Sequence, residues 1–363
     1  MKTNLLLLAL SALASAQTQK KPLQSTFGRY EARSIYTAAS SFDRPAVILL
    51  PGSGPNGPEE FVPESSTADG KPAYLFNDMA AAINKADVAT FQIGKPGIDY
   101  LSAKPYNASM YANSTWDDLM NNAEDAIQFL VNKGYKSTNI HLLGHSEGTV
   151  VAYDIAAKYK NKIAGIILLG YVGETLHKVL LWQLFDAAIL ELIKPTVDLN
   201  HDGQITREEY AKWNDTGLIN FKPDQESISI AEIKNAHKND PKSLEVLKGM
   251  ENSPIWRKVF DRKPIYHQTA TLSRYLKVKC FQGDLDMQTV VKNALELKKY
   301  CKKVAKHYNQ KTKLCDVSII KGVGHGFSVP KPPRSHPYAD LTLGPIIPSF
   351  LNELTKYSKT LQM

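Results

Sequence analysis

Buried-strand and helix patterns alternate along the first half of the chain. Continuous apolar runs predict strands at residues 45–50, 88–93, 140–143 and 163–169. Between them, apolar positions at helical spacing predict helices at residues 74–86, 115–134 and 149–159. Strands separated by helices of this length favour βαβ units, and therefore a mostly parallel, doubly wound α/β sheet with helices on both faces.

The alternation stops near Gly173 and resumes near Val278, where further strands are predicted at residues 278–281 and 317–320. The residues between are polar and mainly helical in pattern. We therefore divide the chain into three parts: the first part of the core at residues 17–173, an inserted helical cap at residues 174–275 and the second part of the core at residues 276–363. An insertion at the carboxyl edge of a parallel sheet lies where ligands enter such folds.

The composition is typical of one large globular domain with an insertion, since 43% of the 363 residues are hydrophobic and 22% are charged. The net charge is +8, and much of the excess lies at residues 292–313, where lysines alternate with apolar residues at helical spacing. This pattern predicts the solvated face of an amphipathic helix. Because no nucleic-acid-binding module is recognisable, nucleic acid is not an expected partner.

The first residues have the pattern of a secretory signal peptide. Lys2 precedes an apolar stretch at residues 5–13, and Ala14, Ser15 and Ala16 follow as the cleavage pattern. We expect residues 1–16 to be removed, which predicts a secreted or periplasmic protein. No later segment approaches the ~20 apolar residues needed to span a bilayer, so integral membrane association is not expected.

Three cysteines are present, and in an oxidising compartment an odd number indicates one bridge and one thiol. Cys301 and Cys315 flank a short polar connection and are the favoured pair. Cys280 lies in an apolar strand pattern and is expected to be a buried thiol. The alternative, three unpaired thiols, stays open at this point.

The sequence Gly-His-Ser-Glu-Gly at residues 144–148 stands between a predicted strand and a predicted helix. A serine at such a strand-to-helix turn forms a nucleophile elbow. Its strained backbone brings Gly144 and Gly148 into close contact, so neither can carry a large side chain. The positive end of the helix stabilises negative charge near Ser146. Ser146 is therefore the predicted nucleophile.

A serine hydroxyl needs a base to take its proton and an acid to orient that base. His325 is the predicted base, because it lies between two glycines just after the last predicted strand. Asp286 is the predicted acid, because it lies three residues after the strand-closing Gly283. Asp284 remains a rival. The order serine, carboxylate, histidine is the one the α/β-hydrolase scaffold requires.

The negative oxygen that develops during acyl transfer needs N–H donors placed in advance. The backbone N–H of Glu147, directly after the nucleophile, is one predicted donor. The second is expected from the Pro/Gly-rich turn at residues 51–55, which gives Ser53, or Gly54 if the turn is registered one residue later.

At residues 44–173 and 276–350 the chain resembles the α/β-hydrolase superfamily, and within it the bacterial serine esterases with a G-H-S-E-G elbow. The resemblance implies an α/β-hydrolase fold and hydrolysis of carboxylic esters through an acyl-enzyme, with some relatives acting on amides or thioesters. Two positions depart from the pattern: Lys95 lies in a loop that lacks the usual acidic and arginine residues, and Thr149 replaces a common third glycine.

Residues 198–209 of the insertion fit the twelve-residue EF-hand loop, which binds Ca²⁺ through oxygen atoms. Gly203 permits the sharp turn and Thr206 can hold a bridging water. The predicted Ca²⁺ ligands are Asp198, Asn200, Asp202, the carbonyl of Gln204, and Glu209. No partner loop is visible in the sequence, so we expect a structural site that stabilises the cap, with no cofactor needed for catalysis.

The leading hypothesis is a secreted serine hydrolase that cleaves small-molecule or acyl esters and has a calcium-stabilised cap. A peptidase or thioesterase acting through the same three residues is one alternative. A non-catalytic, calcium-dependent binding module is another, although such a module has no need of nucleophile, base, acid and oxyanion turn together.

Overall fold

The computed structural model describes residues 21–64, 67, 70–187, 194, 197–212, 219, 221–309, 314–330 and 344–362. The predicted signal peptide lies outside these residues. The centre of the fold is an eight-stranded sheet. In chain order its strands are β1 (Leu23–Phe27), β2 (Ala32–Thr37), β3 (Ala46–Leu50), β4 (Ala89–Ile93), β5 (Ile140–His145), β6 (Gly165–Leu169), β7 (Lys277–Gly283) and β8 (Cys315–Ile320).

The spatial order of the strands is β1-β2-β4-β3-β5-β6-β7-β8, and β2 alone runs in the direction opposite to the other strands of this sheet. The parallel strands β3, β5 and β6 are buried along their whole length, which explains their continuous apolar runs. The predicted mostly parallel sheet and the α/β-hydrolase fold are confirmed.

The hairpin of β1 and β2 was not predicted from the sequence. β1 pairs antiparallel with β2, from Leu23 opposite Tyr36 to Phe27 opposite Ala32. Its residues are mostly exposed, with only Phe27 fully buried, so β1 has no apolar run to indicate a strand. β1 is an edge strand that pairs only with β2, and its two faces are not both buried.

Helices cover both faces of the sheet. The helices of the first part of the core are α1 (Leu75–Asn84), α2 (Ala108–Asn113), α3 (Trp116–Asn132) and α4 (Glu147–Tyr159). The predicted start of α3 is confirmed, because Thr115 and Asp118 form a capping box, and Gly134 follows its end with a φ of +110°. Side chains of α3 and α4 pack in the larger core, while those of α1 pack in a second core across the sheet.

The insertion between β6 and β7 contains α5 (Leu176–Leu181), a π-helical turn at Trp182–Asp186, α6 (Arg207–Lys212), α7 (Ile230–Lys238), α8 (Pro241–Glu251) and α9 (Tyr266–Leu272). It has a small apolar cluster of its own, formed by Val197, Ile205, Ile219, Ile228 and Ile233. This cluster includes Ile205 of the predicted calcium loop, so that loop belongs to a separately packed part of the insertion.

The chain ends with α10 (Val291–His307) and α11 (Pro348–Lys359). α10 is the predicted basic helix, and its buried positions include Leu297, Cys301 and Val304. Cys301 and Cys315 form a disulfide bond and Cys280 is a buried free thiol, as the favoured pairing predicted. Among the helices of the described residues, none combines the length and apolar character required to cross a membrane.

Candidate active site

Ser146 lies at the sharp bend between β5 and α4. Its φ of +52° is in the left-handed region that an L-residue rarely adopts. A Cβ on Gly144 would lie 2.1 Å from the carbonyl oxygen of Gly148, and a Cβ on Gly148 would lie 2.2 Å from the carbonyl oxygen of Leu50. Neither position therefore accepts a side chain, which is the steric requirement predicted for an elbow. The bend itself is held by a 2.9 Å hydrogen bond from the N–H of Ser146 to the carbonyl of Leu169.

His325 and Asp286 are brought together at the carboxyl ends of β8 and β7. His325 Nδ1 lies 2.9 Å from Asp286 Oδ2, and both side chains are buried. Because the carboxylate accepts the Nδ1 proton, the basic lone pair of the imidazole lies on Nε2. Asp284 instead accepts the backbone N–H of Gly322 at 2.7 Å, near the surface. Of the two aspartates, Asp286 is therefore the one in contact with His325.

The carboxylate of Asp286 is surrounded by hydrogen-bond donors. Its Oδ1 accepts the backbone N–H groups of Gln288 and Thr289 at 2.9 and 2.8 Å, and its Oδ2 accepts the hydroxyl of Thr289 at 2.8 Å. Burial by itself raises the pKa of Asp286, but the charge and hydrogen bond of His325 and the bonds from Thr289 outweigh it, so the pKa is lowered. Asp286 is therefore ionised at neutral pH.

The ring of His325 lies beside the elbow. Its centroid is 4.7 Å from that of His145, the residue before Ser146. Gly170 follows Leu169, whose carbonyl accepts the N–H of Ser146. A Cβ on Gly170 would lie 2.7 Å from His325 Cε1. Nucleophile, base and acid are therefore gathered at one edge of the sheet, as parallel strands with a common carboxyl end allow.

The two predicted oxyanion donors belong to segments that lie at this edge. Glu147 is the first residue of α4, where no carbonyl of the same helix can accept its N–H. The turn after β3 approaches closely, since a Cβ on Gly52 would lie 3.2 Å from Ser146 Cβ. The N–H of Gly52 is bonded to Glu60, which leaves Ser53 as the next N–H along the turn. The side-chain amide of Asn56 donates to the carbonyls of Gly52 and Ser53 at 3.0 and 2.8 Å and fixes the turn.

A buried ion pair directly behind the elbow was missed from the sequence. Lys95 Nζ lies 2.7 Å from Glu147 Oε1, and both side chains are almost fully buried. The indole N–H of Trp256, from the insertion, donates to the other carboxylate oxygen of Glu147. The only sequence signal was the unusual lysine in the loop after β4. Glu147 therefore links the core to the insertion at the residue whose N–H is a predicted oxyanion donor.

Further contacts attach the insertion to the core close to these residues. Arg262 donates to both carboxylate oxygens of Asp154 at 2.6 and 2.8 Å, and so contacts α4. Trp182 and Gln183 donate to the carbonyls of Met287 and Gln288 at 2.8 and 3.0 Å. These two carbonyls directly follow Asp286. The insertion therefore contacts both the nucleophile helix and the loop of the acid.

The predicted calcium loop makes its sharp turn at Gly203, with a φ of +81°. The N–H of Gly203 donates to Asp198 Oδ2 at 3.1 Å, while Asp198 Oδ1 is buried without a hydrogen-bond partner in the described part of the chain. Glu209 accepts the N–H and hydroxyl of Thr206, both at 2.9 Å. In the described ranges, no three His, Cys, Asp or Glu side chains form a group that could hold a metal ion. The buried, unpaired oxygen of Asp198 and the turn at Gly203 are the features that fit a cation.

The sequence shows no partner for this loop, but the structure pairs it with a second segment. Strand Gln204–Thr206 pairs antiparallel with strand Ser227–Ser229, with Ile205 opposite Ile228. Ile205 is the eighth residue of its twelve-residue loop, so the same register gives a second loop at residues 221–232. Its ninth and twelfth residues, Ser229 and Glu232, form a capping box like that of Thr206 and Glu209.

The sequence did not indicate the second loop because it lacks the ligands of a calcium site. Phe221 and Pro223 occupy its first and third positions, where the first loop has Asp198 and Asn200. Because the side chains at these two positions have no oxygen, the calcium-binding motif is absent from the second loop. The apolar and capping residues that pair the two loops are still present. The partner is therefore recognisable only from strand pairing.

A sequence profile of the serine aminopeptidase (S33) family matches residues 74–220. This part contains Ser146 and ends before Asp286 and His325. No protein of curated function matches the sequence.

Several solved structures resemble the fold. Est1E from Butyrivibrio proteoclasticus is 13% identical, with 94% of this chain and 98% of that chain covered and a TM-score of 0.45. A serine hydrolase of the polyaromatic hydrocarbon-degrading bacterium Cycloclasticus zankles is 13% identical, with 93% and 97% covered and a TM-score of 0.48. The 2-hydroxy-6-oxo-6-phenylhexa-2,4-dienoate hydrolase of Rhodococcus sp. strain RHA1 is 18% identical, with 84% and 92% covered and a TM-score of 0.42.

Proposed function

We propose that the protein is a serine hydrolase that cleaves carboxylic esters through an acyl-enzyme. The observation that carries the proposal is the buried 2.9 Å contact of His325 with Asp286, beside a serine held at a φ of +52°. A surface histidine or a turn aspartate does not require such burial and pairing. A strained serine next to a buried acid–base pair is the arrangement that acyl transfer needs.

In the proposed mechanism, Ser146 Oγ attacks the ester carbonyl while His325 Nε2 takes its proton. The N–H groups of Glu147 and Ser53 stabilise the negative oxygen of the tetrahedral intermediate. The intermediate breaks its bond to the alcohol oxygen, which leaves with the proton held by His325. Water then attacks the acyl-enzyme by the same steps, and the carboxylic acid is released with the hydroxyl of Ser146 restored.

Ser146→Ala tests the proposal. A fluorophosphonate is expected to label the wild-type protein and not the variant, and kcat for a short-chain ester is expected to fall about 10⁶-fold because no other hydroxyl replaces the nucleophile. The melting temperature of the variant shows whether it is folded. A folded wild-type protein that is neither labelled nor active on any ester would favour the non-catalytic binding module.

A peptidase is the second candidate, because the segment that contains Ser146 resembles the serine aminopeptidase family. The same three residues would serve, with an amine leaving in place of an alcohol. A panel of esters, thioesters and peptide amides of graded size separates these activities. The proposal of an esterase predicts the highest kcat/KM for esters, and a higher value for peptide amides would replace it with the peptidase.

We further propose that the loop at residues 198–209 binds one Ca²⁺ and stabilises the insertion. The proposal is supported by the buried unpaired oxygen of Asp198 and the turn at Gly203. The ligands would be Asp198, Asn200, Asp202, the carbonyl of Gln204, and Glu209. Because the loop at 221–232 lacks oxygen ligands at its first and third positions, one ion per chain is expected.

The two paired capping boxes provide a matched test of the calcium proposal. With Kd in the range of ~10⁻⁴ to 10⁻³ M, 10 mM Ca²⁺ is expected to stabilise the wild-type protein by about 1.4–2.7 kcal/mol over EDTA. Glu209→Gln is expected to abolish this difference, while Glu232→Gln, which alters an equivalent capping box, is expected to keep it. Differential scanning calorimetry measures the six melting temperatures, those of three proteins each with Ca²⁺ and with EDTA. Equal values for the wild-type protein with Ca²⁺ and with EDTA would refute the proposal.

We also propose that the protein is exported, with cleavage after Ala16. The proposal is supported by the signal-peptide pattern of the sequence and by the Cys301–Cys315 disulfide, since disulfides persist in oxidising compartments. Mass spectrometry of the protein recovered from its native compartment is expected to find Gln17 at the N-terminus. A chain that retains Met1 inside the cell would refute export.

A further inference from the structure

A second histidine–carboxylate pair lies beside the proposed catalytic one. Glu60 Oε1 is 2.8 Å from His145 Nδ1, and both side chains are buried. The same Oε1 accepts the N–H of Gly52 at 2.8 Å. At the other side of the ring, His145 Nε2 lies 3.1 Å from the carbonyl oxygen of His325. The pair therefore connects the turn after β3, the elbow after β5 and the loop after β8.

The identity of these partners fixes where the protons lie. The carbonyl of His325 can only accept, so His145 Nε2 must carry a proton. If Nδ1 carries none, the 2.8 Å contact with Glu60 Oε1 requires a proton on the carboxyl group. If Nδ1 is protonated, His145 is a cation beside an anionic Glu60. In both cases one proton is shared between Nδ1 and Oε1, and the buried pair has no net charge.

We propose that Glu60 and His145 are positioning residues that hold the oxyanion turn and the loop of His325 in register with Ser146. This inference rests on the proposed hydrolase function. Through Oε1, Glu60 fixes the N–H of Gly52 and so directs the N–H of Ser53 towards the reacting carbonyl. Through Nε2–H, His145 fixes the backbone of His325. Neither side chain needs to touch the substrate.

An amide cannot replace the carboxyl group of Glu60. If the oxygen of a glutamine occupied the position of Oε1, it would accept the N–H of Gly52 but would face the lone pair of a neutral His145. If the nitrogen occupied that position, it would donate to His145 but would face the N–H of Gly52. One hydrogen bond of the oxyanion turn or of the histidine is lost in either orientation. Glu60→Gln therefore tests the shared proton with almost no change in side-chain volume.

His141 provides the matched control. It lies on β5, four residues before His145, and is equally buried, but its Nδ1 has no hydrogen-bond partner among the described residues. Burial lowers the pKa of His141 to about 3, so its ring is neutral. His141→Gln therefore measures the general cost of replacing a buried histidine on this strand.

Kinetics of the intact protein test the positioning role. Glu60→Gln and His145→Gln are expected to lower kcat about 10- to 100-fold with KM changed less than about threefold, because the lost contacts act on the transition state. His141→Gln is expected to lower the melting temperature but to keep kcat. If Glu60→Gln retains kcat within about threefold of the wild-type value, or if His141→Gln loses as much kcat as His145→Gln, the proposal is wrong.

Nitrogen-15 NMR of the histidine rings decides the hydrogen bonding without reference to catalysis. At pH 7, Nε2 of His145 is expected to carry a proton, with the signals assigned by their loss in His145→Gln. An unprotonated Nε2 would overturn the proposal even in an active enzyme. If Nε2 is protonated but a fluorophosphonate does not label the protein, the hydrogen bonding of the buried pair stands and only the proposed hydrolase function is refuted.

Discussion

Replacing Asp286 with asparagine is expected to lower kcat for ester hydrolysis about 10⁴-fold, with a much smaller change in KM. Asp286 Oδ2 accepts hydrogen bonds from Gln282, Thr289 and His325, at 2.6, 2.8 and 2.9 Å. An amide nitrogen at that position would face three donors. An amide turned the other way would face the N–H groups that now bind Oδ1. With the nitrogen at the position of Oδ2, the amide would donate to His325 Nδ1, so the imidazole would hold its proton on Nε2, where it can no longer accept the proton of Ser146.

The matched control for this prediction is Asp284→Asn. Asp284 lies two residues earlier, where it accepts the N–H of Gly322 and is partly exposed. An asparagine can keep that bond through its side-chain oxygen, so kcat is expected to stay within about twofold of the wild-type value. Steady-state kinetics of both variants on one ester make the comparison. If Asp284→Asn loses more activity than Asp286→Asn, the acid has been assigned to the wrong aspartate.

The elbow and the strands could be predicted because their requirements are local. Gly144 is required by backbone atoms of Gly148 and Thr149, within a few residues of Ser146, and a strand buried on both faces must be apolar along its length. The positions of Asp286 and His325 followed from similar logic, since each stands in a loop just after a strand. Such features depend on chain order and on short-range sterics, both of which are present in the sequence.

The features that were missed depend on contacts between distant parts of the chain. Glu60 and His145 are 85 residues apart, and Lys95 and Glu147 are 52 apart. In the sequence each of these side chains is an ordinary polar residue, and only packing determines that it is buried against a partner. The loop at residues 221–232 was missed for a related reason, because its pairing depends on Ile228 and its neighbours and not on metal ligands.

The contacts of the insertion give it two attachments to the proposed machinery. Trp256 contacts Glu147 behind the oxyanion donor, and Trp182 and Gln183 contact the carbonyls after Asp286. Lys234 of α7, which follows the second loop, pairs with Asp186 at 3.1 Å in the same π-helical turn as Trp182. The π-helical turn therefore contacts both the helix of Lys234 and the loop that carries Asp286. A change in the insertion is expected to act on the site by displacing that loop and not by changing the charge near it.

The second large effect is expected at Gly148. A Cβ there would lie 2.2 Å from the carbonyl oxygen of Leu50, which belongs to β3 in the centre of the sheet. A backbone atom of a central strand cannot move aside as a flexible side chain can. Gly148→Ala is therefore expected to reduce the free energy of unfolding by about 3 kcal/mol or more, at the upper end of the usual cost of overpacking. It is also expected to lower kcat, because relief of the clash must displace α4 and with it Ser146.

Gly249→Ala is the matched control for the clash. Gly249 lies inside α8, and a Cβ at this position would meet no atom within 4 Å. Alanine in the interior of a helix is favoured over glycine by roughly 0.5–1 kcal/mol, so this variant is expected to be slightly more stable than the wild-type protein with unchanged kcat. Urea denaturation of the two variants compares the same chemical change in a crowded and an open position. If Gly148→Ala is as stable as Gly249→Ala, then the bend at Ser146 is not held by the sterics that identified it as an elbow, and the first argument for a nucleophile is lost.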